Sequence, residues 1–373
     1  MNQYLKEYHM VLDTLGPVYI GSGRLIGKKE YLLTEQAQKV SVVDIPKLYQ
    51  YLKTKRLEYD FEMFLLKDSR VGLSEWLLNH RIPIGAIRSC IRYTLDCNDY
   101  RSDRSPLQIS ECLKDPYNLP YIPGSSLKGM LRTILLSAEV INHADHYRTE
   151  RSNIQQSAQN IIKRNYYLSR DIAQLEQKSF YTLNRPKSHP SDAVNDVLSG
   201  LIVSDSKPLS VSDLTLCQKI DRHTDGTEKV FNVLRECIAP GRKIEFTLTI
   251  DSSLCPITME MLQEAIGIFA DSNYRNFISC YQDLDKPSSR TVWLGGGCGF
   301  TTKTVVYPLM GKQDGLALTQ QIFAATVKTK RSDGHKHSED AHLGVSPRIV
   351  KYTRYKGKKL QMGLCHLNAV DFP

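Results

Sequence analysis

The chain has 373 residues, 41% of them hydrophobic, enough for a substantial core in two domains of ordinary size or one elaborated pair. Forty-nine lysines and arginines against 40 acids leave a formal charge of +9, too mild a bias to establish nucleic-acid binding by itself. Nine scattered cysteines with no C-x-x-C pair argue against a zinc site or disulfide framework and fit a reducing cytoplasm, and neither a signal peptide nor a run long enough to span a bilayer is read.

Residues 8–16 read as a strand punctuated by Gly16-Pro17, and Gly21-Ser22-Gly23-Arg24 as a turn whose glycines permit close backbone approach. A short strand is expected over 40–43 and short helices over 45–52, 61–66 and 73–78, while 98–115 is polar and irregular. Next comes the stretch that organises the chain, Tyr121-Ile122-Pro123-Gly124-Ser125-Ser126-Leu127-Lys128-Gly129-Met130-Leu131-Arg132-Thr133. Leu127, Met130, Leu131, Ile134, Leu135 and Ala138 recur at spacings of three and four, the mark of a helix with one apolar stripe, and Ser125 is the expected N-cap. Lys128 and Arg132 then lie four apart near the positive end of the helix dipole with no acid between them. That violation suggests that an anion completes the site.

Residues 143–190 are polar and rich in cations, a set of helical pieces or a mobile insertion. A boundary is placed after 198. Ile244, Phe246, Leu248 and Ile250 alternate with polar residues as in a half-buried strand, and helices follow over 259–269 and 316–327. Residues 328–343 are charged and glycine-containing. From 341 to 370 there is no acid, and Arg348, Lys351, Arg354, Lys356, Lys358 and Lys359 interleave with Tyr352 and Tyr355, a composition suited to phosphate contact and base stacking.

Several chemistries fail on spacing. Gly124 to Gly129 places its lysine before the second glycine, which excludes an NTPase loop, and Gly295-Gly296-Gly297-Cys298-Gly299-Phe300 lacks the last glycine of a dinucleotide fingerprint. His143, Asp145 and His146, and the His335-x-His337 pair with His342, lack further ligands and read as solvated loops. His9 could act as a general base for metal-free RNA cleavage, but it lies inside the first strand, and neither Asp44 nor Asp96 sits in a nuclease motif. No catalytic residue, metal or cofactor is expected.

The central stretch resembles the PGSSLKG-x-x-R helix of RAMP proteins, the RNA-binding subunits of CRISPR effector complexes. Ile20-Gly21-Ser22-Gly23 is similar to that family's N-terminal IGSG turn, and Gly295 to Phe300 resembles its glycine-rich loop. Lys28 to Tyr31 and Pro347-Arg348-Ile349-Val350-Lys351 further resemble the head subunit of the type III-A (Csm) complex. The resemblance implies an α+β chain of two ferredoxin-like domains with helical insertions, 1–198 and 199–373. It implies a cytoplasmic, non-catalytic subunit that binds and caps the 3′ portion of the crRNA and is needed for crRNA maturation in antiviral defence. The alternative within the superfamily is an endoribonuclease that processes precursor crRNA. Implied partners are the crRNA, the repeated backbone subunit, the small helical filament subunit, target RNA indirectly and nucleases trimming the crRNA 3′ end; no membrane is implied. The residues expected to meet RNA are Gly21, Ser22, Gly23, Arg24, Ser125, Ser126, Lys128, Arg132, Gly295, Gly296, Gly297, Gly299, Lys303, Arg348 and Lys351.

Overall fold

The alternating N-terminal run forms β1 (Leu5–Thr14), whose Met10, Leu12 and Thr14 turn into the core. In a computed structural model, residues 4–34, 38–67, 71–97, 99–100, 108–159, 168–282, 284–326, 337 and 340–370 are described. After β1 come β2 (Gly21–Gly27), β3 (Tyr31–Thr34) and β4 (Lys39–Val43). Three short helices follow, α1 (Ile45–Thr54), α2 (Glu58–Leu66) and α3 (Leu73–Asn79), then β5 (Ile91–Asp96) and β6 (Gln108–Cys112). The helical middle is α4 (Gly124–Asn142), α5 (Arg148–Gln159) and α6 (Ser169–Phe180). The remainder runs β7 (Leu201–Val203), β8 (Leu214–His223), β9 (Glu228–Ile238), β10 (Lys243–Asp251), α7 (Met259–Asn276), β11 (Thr291–Trp293) and α8 (Val306–Thr326). It closes with α9 (Asp340–Leu343), β12 (Ile349–Tyr355), β13 (Lys358–Gln361) and β14 (Leu364–Val370).

The described residues of this α+β chain build three sheets. A five-stranded antiparallel sheet has the order β11-β14-β1-β10-β7, so the N-terminal strand lies between strands more than 200 residues later. Helices α4 and α7 pack together and share one core with this sheet. Taken along the chain, β1, α4, β7, β10, α7 and β14 follow a β-α-β-β-α-β order. Elements on both sides of residue 198 therefore contribute to one sheet and one core. The second sheet is mixed, with order β13-β12-β8-β9-β6-β2 and a single parallel pairing, β6 with β9. The third, β3-β4-β5, carries α1–α3 on a separate small core around Phe61 and Trp76.

Two local expectations need correction. Residues 21–24 lie within β2, where the register against β6 shifts between Gly21 and Leu25, so the glycines make a bulged strand rather than a free turn. Ser125 is not the N-cap of α4. The helix begins at Gly124, whose N–H donates to Asp205 Oδ1 at 2.7 Å, so the cap comes from a residue distant in sequence. A side chain at Gly124 could not fit, because a Cβ there would stand 2.2 Å from the carbonyl oxygen of Val203.

Candidate nucleic-acid interface

Three glycine-containing segments far apart in sequence meet at one open cleft of about 350 Å³. Tyr19, Ile20 and Gly21 line it from the β1–β2 connection, and Ser125, Ser126, Gly129, Met130 and Thr133 from one flank of α4. Trp293, Leu294, Gly295, Gly296, Thr302 and Lys303 complete it. The glycine loop is held flat on the chain beneath it. Gly296 N–H donates to the Tyr19 carbonyl at 2.7 Å, and Leu294 N–H, at the start of the loop, donates to the Gly363 carbonyl at 2.9 Å. Gly295 has φ +90°, and a Cβ there would lie 2.4 Å from the Tyr19 carbonyl oxygen, so both conformation and space demand glycine. Lys303 stands exposed at the rim with no carboxylate partner among the described residues. Backbone, hydroxyls and a lysine with no carboxylate partner among the described residues make a surface that suits a phosphate chain.

Comparison with known proteins bears on what this cleft is. A profile described as the RAMP superfamily matches residues 11–311. The chain is 30% identical over 398 aligned residues to "CRISPR system Cms protein Csm5" of Mycobacterium tuberculosis strain H37Rv, covering 99% of each. It is likewise 30% identical to the protein of that name from Streptococcus thermophilus, covering 82% of this chain and 81% of that one. The chain belongs to the RAMP superfamily, and within it to the Csm5 family of type III-A CRISPR systems. Two solved structures share the fold. One is a chain of a Csm–crRNA–target RNA ternary complex seen by cryo-electron microscopy, with TM-score 0.62 and 19% identity over 97% of this chain and all of that one. The other is the crystal structure of T. onnurineus Csm5, with TM-score 0.60 and 18% identity over 95% and 99%.

In this Csm5-family chain the two cations of α4 stand apart from the cleft. Positions 125, 126, 129, 130 and 133 share the cleft flank, which leaves 128 and 132 on another face. Arg132 is fully engaged by its own chain. Its Nε and one terminal nitrogen donate to Glu176 Oε2 at 3.1 and 3.0 Å, the other donates to Asp196 Oδ2 at 2.6 Å, and the guanidinium lies 4.9 Å from the Phe180 ring centre. The anion that the sequence demanded there is internal, supplied from α6 and the turn before β7. Lys128 is half-buried; burial pushes its pKa down, Asp196 pushes it up, and Arg132 pushes it down again. Arg132→Gln is expected to lower stability by about 1–2 kcal/mol, between the values for exposed and buried ion pairs, and to leave the salt dependence of RNA binding unchanged. A slope flattened by ~0.7 with normal melting would return Arg132 to the RNA surface.

The other expected residues divide. Arg24, about half exposed, lies 2.9 Å from Glu30 and 3.8 Å from Glu111, and Ser22 Oγ lies 3.4 Å from the Glu111 carbonyl. Gly297 and Gly299 continue the loop over β9 and β12, at φ +84° and +97°. The acid-free tail forms the β12–β13 hairpin, but acids reach it from β8, β9 and α9. Lys351 bonds Asp221 at 2.8 Å, Arg354 and Lys359 hold Glu228, and Arg348 Nε lies 4.0 Å from Asp340. Tyr352 is buried, so it offers no face for a base. Sequence reading missed Arg235. Its guanidinium lies 5.4 Å from the Tyr19 ring centre and directly beneath Gly297. The only signal was its place in the alternating run of β9.

The remaining candidates have structural partners. His9 Nε2 stands 3.6 Å from Glu245, Asp44 Oδ1 caps α1 by accepting from Lys47 N–H at 3.0 Å, and Asp96 lies 3.8 Å from Lys39. His143 pairs with Glu139 at 3.1 Å, and His337 stacks on Phe323 at 5.0 Å. His335 and residues 160–167 of the cation-rich segment lie outside the described residues. Among the described residues no group of three or more His, Cys, Asp or Glu could hold a metal, and no helix is long and apolar enough to cross a membrane.

Proposed function

We propose that this chain holds the 3′ portion of a crRNA and caps one end of a Csm filament without cutting RNA. One observation carries the reading: the β1–β2 connection, the flank of α4 and the glycine loop meet at one cleft, with a lysine at its rim that has no carboxylate partner among the described residues. A guide's spacer varies in sequence, so a protein that must accept any guide reads phosphate and shape. Backbone N–H groups, Ser125, Ser126 and Lys303 suit that task. His9, the best base by sequence, does not line the cleft, which favours holding over cutting. The solved complex that this chain resembles in fold contains crRNA and target RNA. In this reading β1, α4, β7, β10, α7 and β14 form one ferredoxin-like unit, the six-stranded sheet is a second, modified one, and the partners are the repeated backbone subunit, the small helical subunit and trimming nucleases.

Guide length in affinity-purified complex tests the proposal. Cells lacking this subunit should retain longer, untrimmed guides, and cells with Lys303→Glu should show a milder form of the same defect. Fully matured guides of normal length without the subunit would overturn it.

A further inference from the structure

The open face of the second sheet continues from the cleft and carries a charge cluster that the cleft does not use. On β9, whose register against β8 shifts between Gln218 and Ile220, Lys229 lies against Phe231 and Arg235 follows further along the strand, while Leu234 and Glu236 turn inward to full burial. Lys219 of β8 brings its ammonium to 4.0 Å from the centre of the Phe231 ring, and Lys229 stands 5.4 Å from the same ring. Arg235 lies over Tyr19, which lines the cleft, so cleft and strand face share a boundary. Lys351 lies against Gly299 on the same side.

The charges on this face do not balance. Four cations, Lys219, Lys229, Arg235 and Lys351, gather around one acid, Asp221, and Asp221 is bonded to Lys351 at 2.8 Å. Lys219, Lys229 and Arg235 have no carboxylate partner among the described residues. The cost is visible at Lys219: burial lowers its pKa, Asp221 works against that, and Lys351, Arg235 and Lys229 lower it further. Like charges packed this closely repel one another unless an anion joins them. Phe231 is half-buried yet packs on none of the chain's hydrophobic cores among the described residues. An aromatic ring outside the core, ringed by unpaired cations, is the signature of a single-strand stacking platform.

We infer that Lys219, Lys229, Phe231 and Arg235 form a second contact for single-stranded RNA, in which one base stacks on Phe231 in place of the Lys219 ammonium now over the ring, and the cations take the flanking phosphates. The inference rests on the RNA-holding reading above and extends the strand's path from the cleft, past Tyr19 and Gly297, onto β8 and β9.

The test uses the full chain and a labelled uridine-rich RNA of ~12 nucleotides, within the span of such sites. Binding is followed by fluorescence anisotropy over a series of salt concentrations. Phe231→Ala should weaken binding ~10-fold without changing the salt slope, and Phe231→Tyr should restore it. Phe231→Leu, which keeps an apolar side chain without an aromatic face, should lose as much as the alanine variant. Lys219→Glu with Lys229→Glu should flatten the slope by roughly 1 to 2. Folded variants that bind like the parent overturn the platform. If Lys303→Glu alone weakens binding, the cleft stands and the platform falls. If the β8–β9 variants alone weaken it, the platform stands and the cleft falls. A parent chain with no salt-dependent RNA binding overturns both.

Discussion

Lys114→Met should destabilise the fold by about 3–5 kcal/mol, because it leaves a fully buried carboxylate without its counter-charge. Lys114 Nζ lies 2.5 Å from Glu236 and 3.7 Å from Glu111, and 5.0 Å from the centre of the Tyr93 ring. Its side chain is 6% exposed and that of Glu236 is 0%, so water screens neither. Glu236 is otherwise satisfied: the Tyr93 hydroxyl donates to Oε1 at 2.6 Å and Cys112 N–H donates to Oε2 at 3.0 Å. Those neutral donors cannot replace a cation in a dry interior. The double variant Lys114→Met/Glu236→Leu should recover part of the loss, since it leaves no unpaired buried charge, although the Tyr93 hydroxyl and the Cys112 N–H lose their acceptor. Urea denaturation measures both. A single variant within ~1 kcal/mol of the parent, or a double variant no better than the single, would mean that the pair does not hold this region together.

The same network ties fold to function. Glu236 sits on β9 and Cys112 on β6, at the one parallel junction of the second sheet. Glu111, next in the cluster, is also the partner of Arg24 and Ser22 on β2. Loosening the buried pair should therefore loosen the bulged glycine strand beside the cleft before it unfolds the five-stranded sheet.

Local features of this chain were legible where the signal was local. The alternation of Ile244, Phe246, Leu248 and Ile250 marks β10, all four being buried, and the stripe on α4 buries Leu127, Leu131, Ile134, Leu135 and Ala138. The short helices around Leu48, Phe61 and Trp76 were equally plain from their apolar spacing. What failed was partner identity. Arg132 looked like an unpaired cation because Glu176 and Asp196 lie 44 and 64 residues away. The tail looked uniformly basic because Asp221 and Glu228 reach it across strands from more than 100 residues upstream. Asp205 caps α4 from 81 residues downstream, so the nearby Ser125 took its place in the reading. Charge patterns along a sequence record which side chains exist, and only the topology tells which neutralise one another.

Gly295→Ala should damage both the loop and the RNA binding proposed for it, and Gly23→Ala should not. Both glycines occupy the left-handed region, at φ +90° and +84°, which costs any other residue about 1–2 kcal/mol. They differ in surroundings. A Cβ at Gly23 meets nothing within 4 Å, whereas one at Gly295 would lie 2.4 Å from the carbonyl oxygen of Tyr19 and 3.3 Å from Ile20 Cδ1. Backbone cannot rotate away as a flexible side chain would, so the loop must lift. Lifting breaks the 2.7 Å bond from Gly296 N–H to Tyr19, worth a further ~1 kcal/mol, and moves one wall of the cleft. Gly295→Ala is therefore expected to lose about 3 kcal/mol of stability and ~10-fold or more in RNA affinity, since a displacement of about 1 Å is enough to spoil a preformed contact. Gly23→Ala should lose ~1 kcal/mol and bind RNA nearly as the parent does. Thermal melting and anisotropy on the two variants side by side decide the matter. Equal losses of affinity would assign the effect to backbone strain alone. A Gly295→Ala chain that melts early yet binds RNA normally would remove the glycine loop from the RNA path.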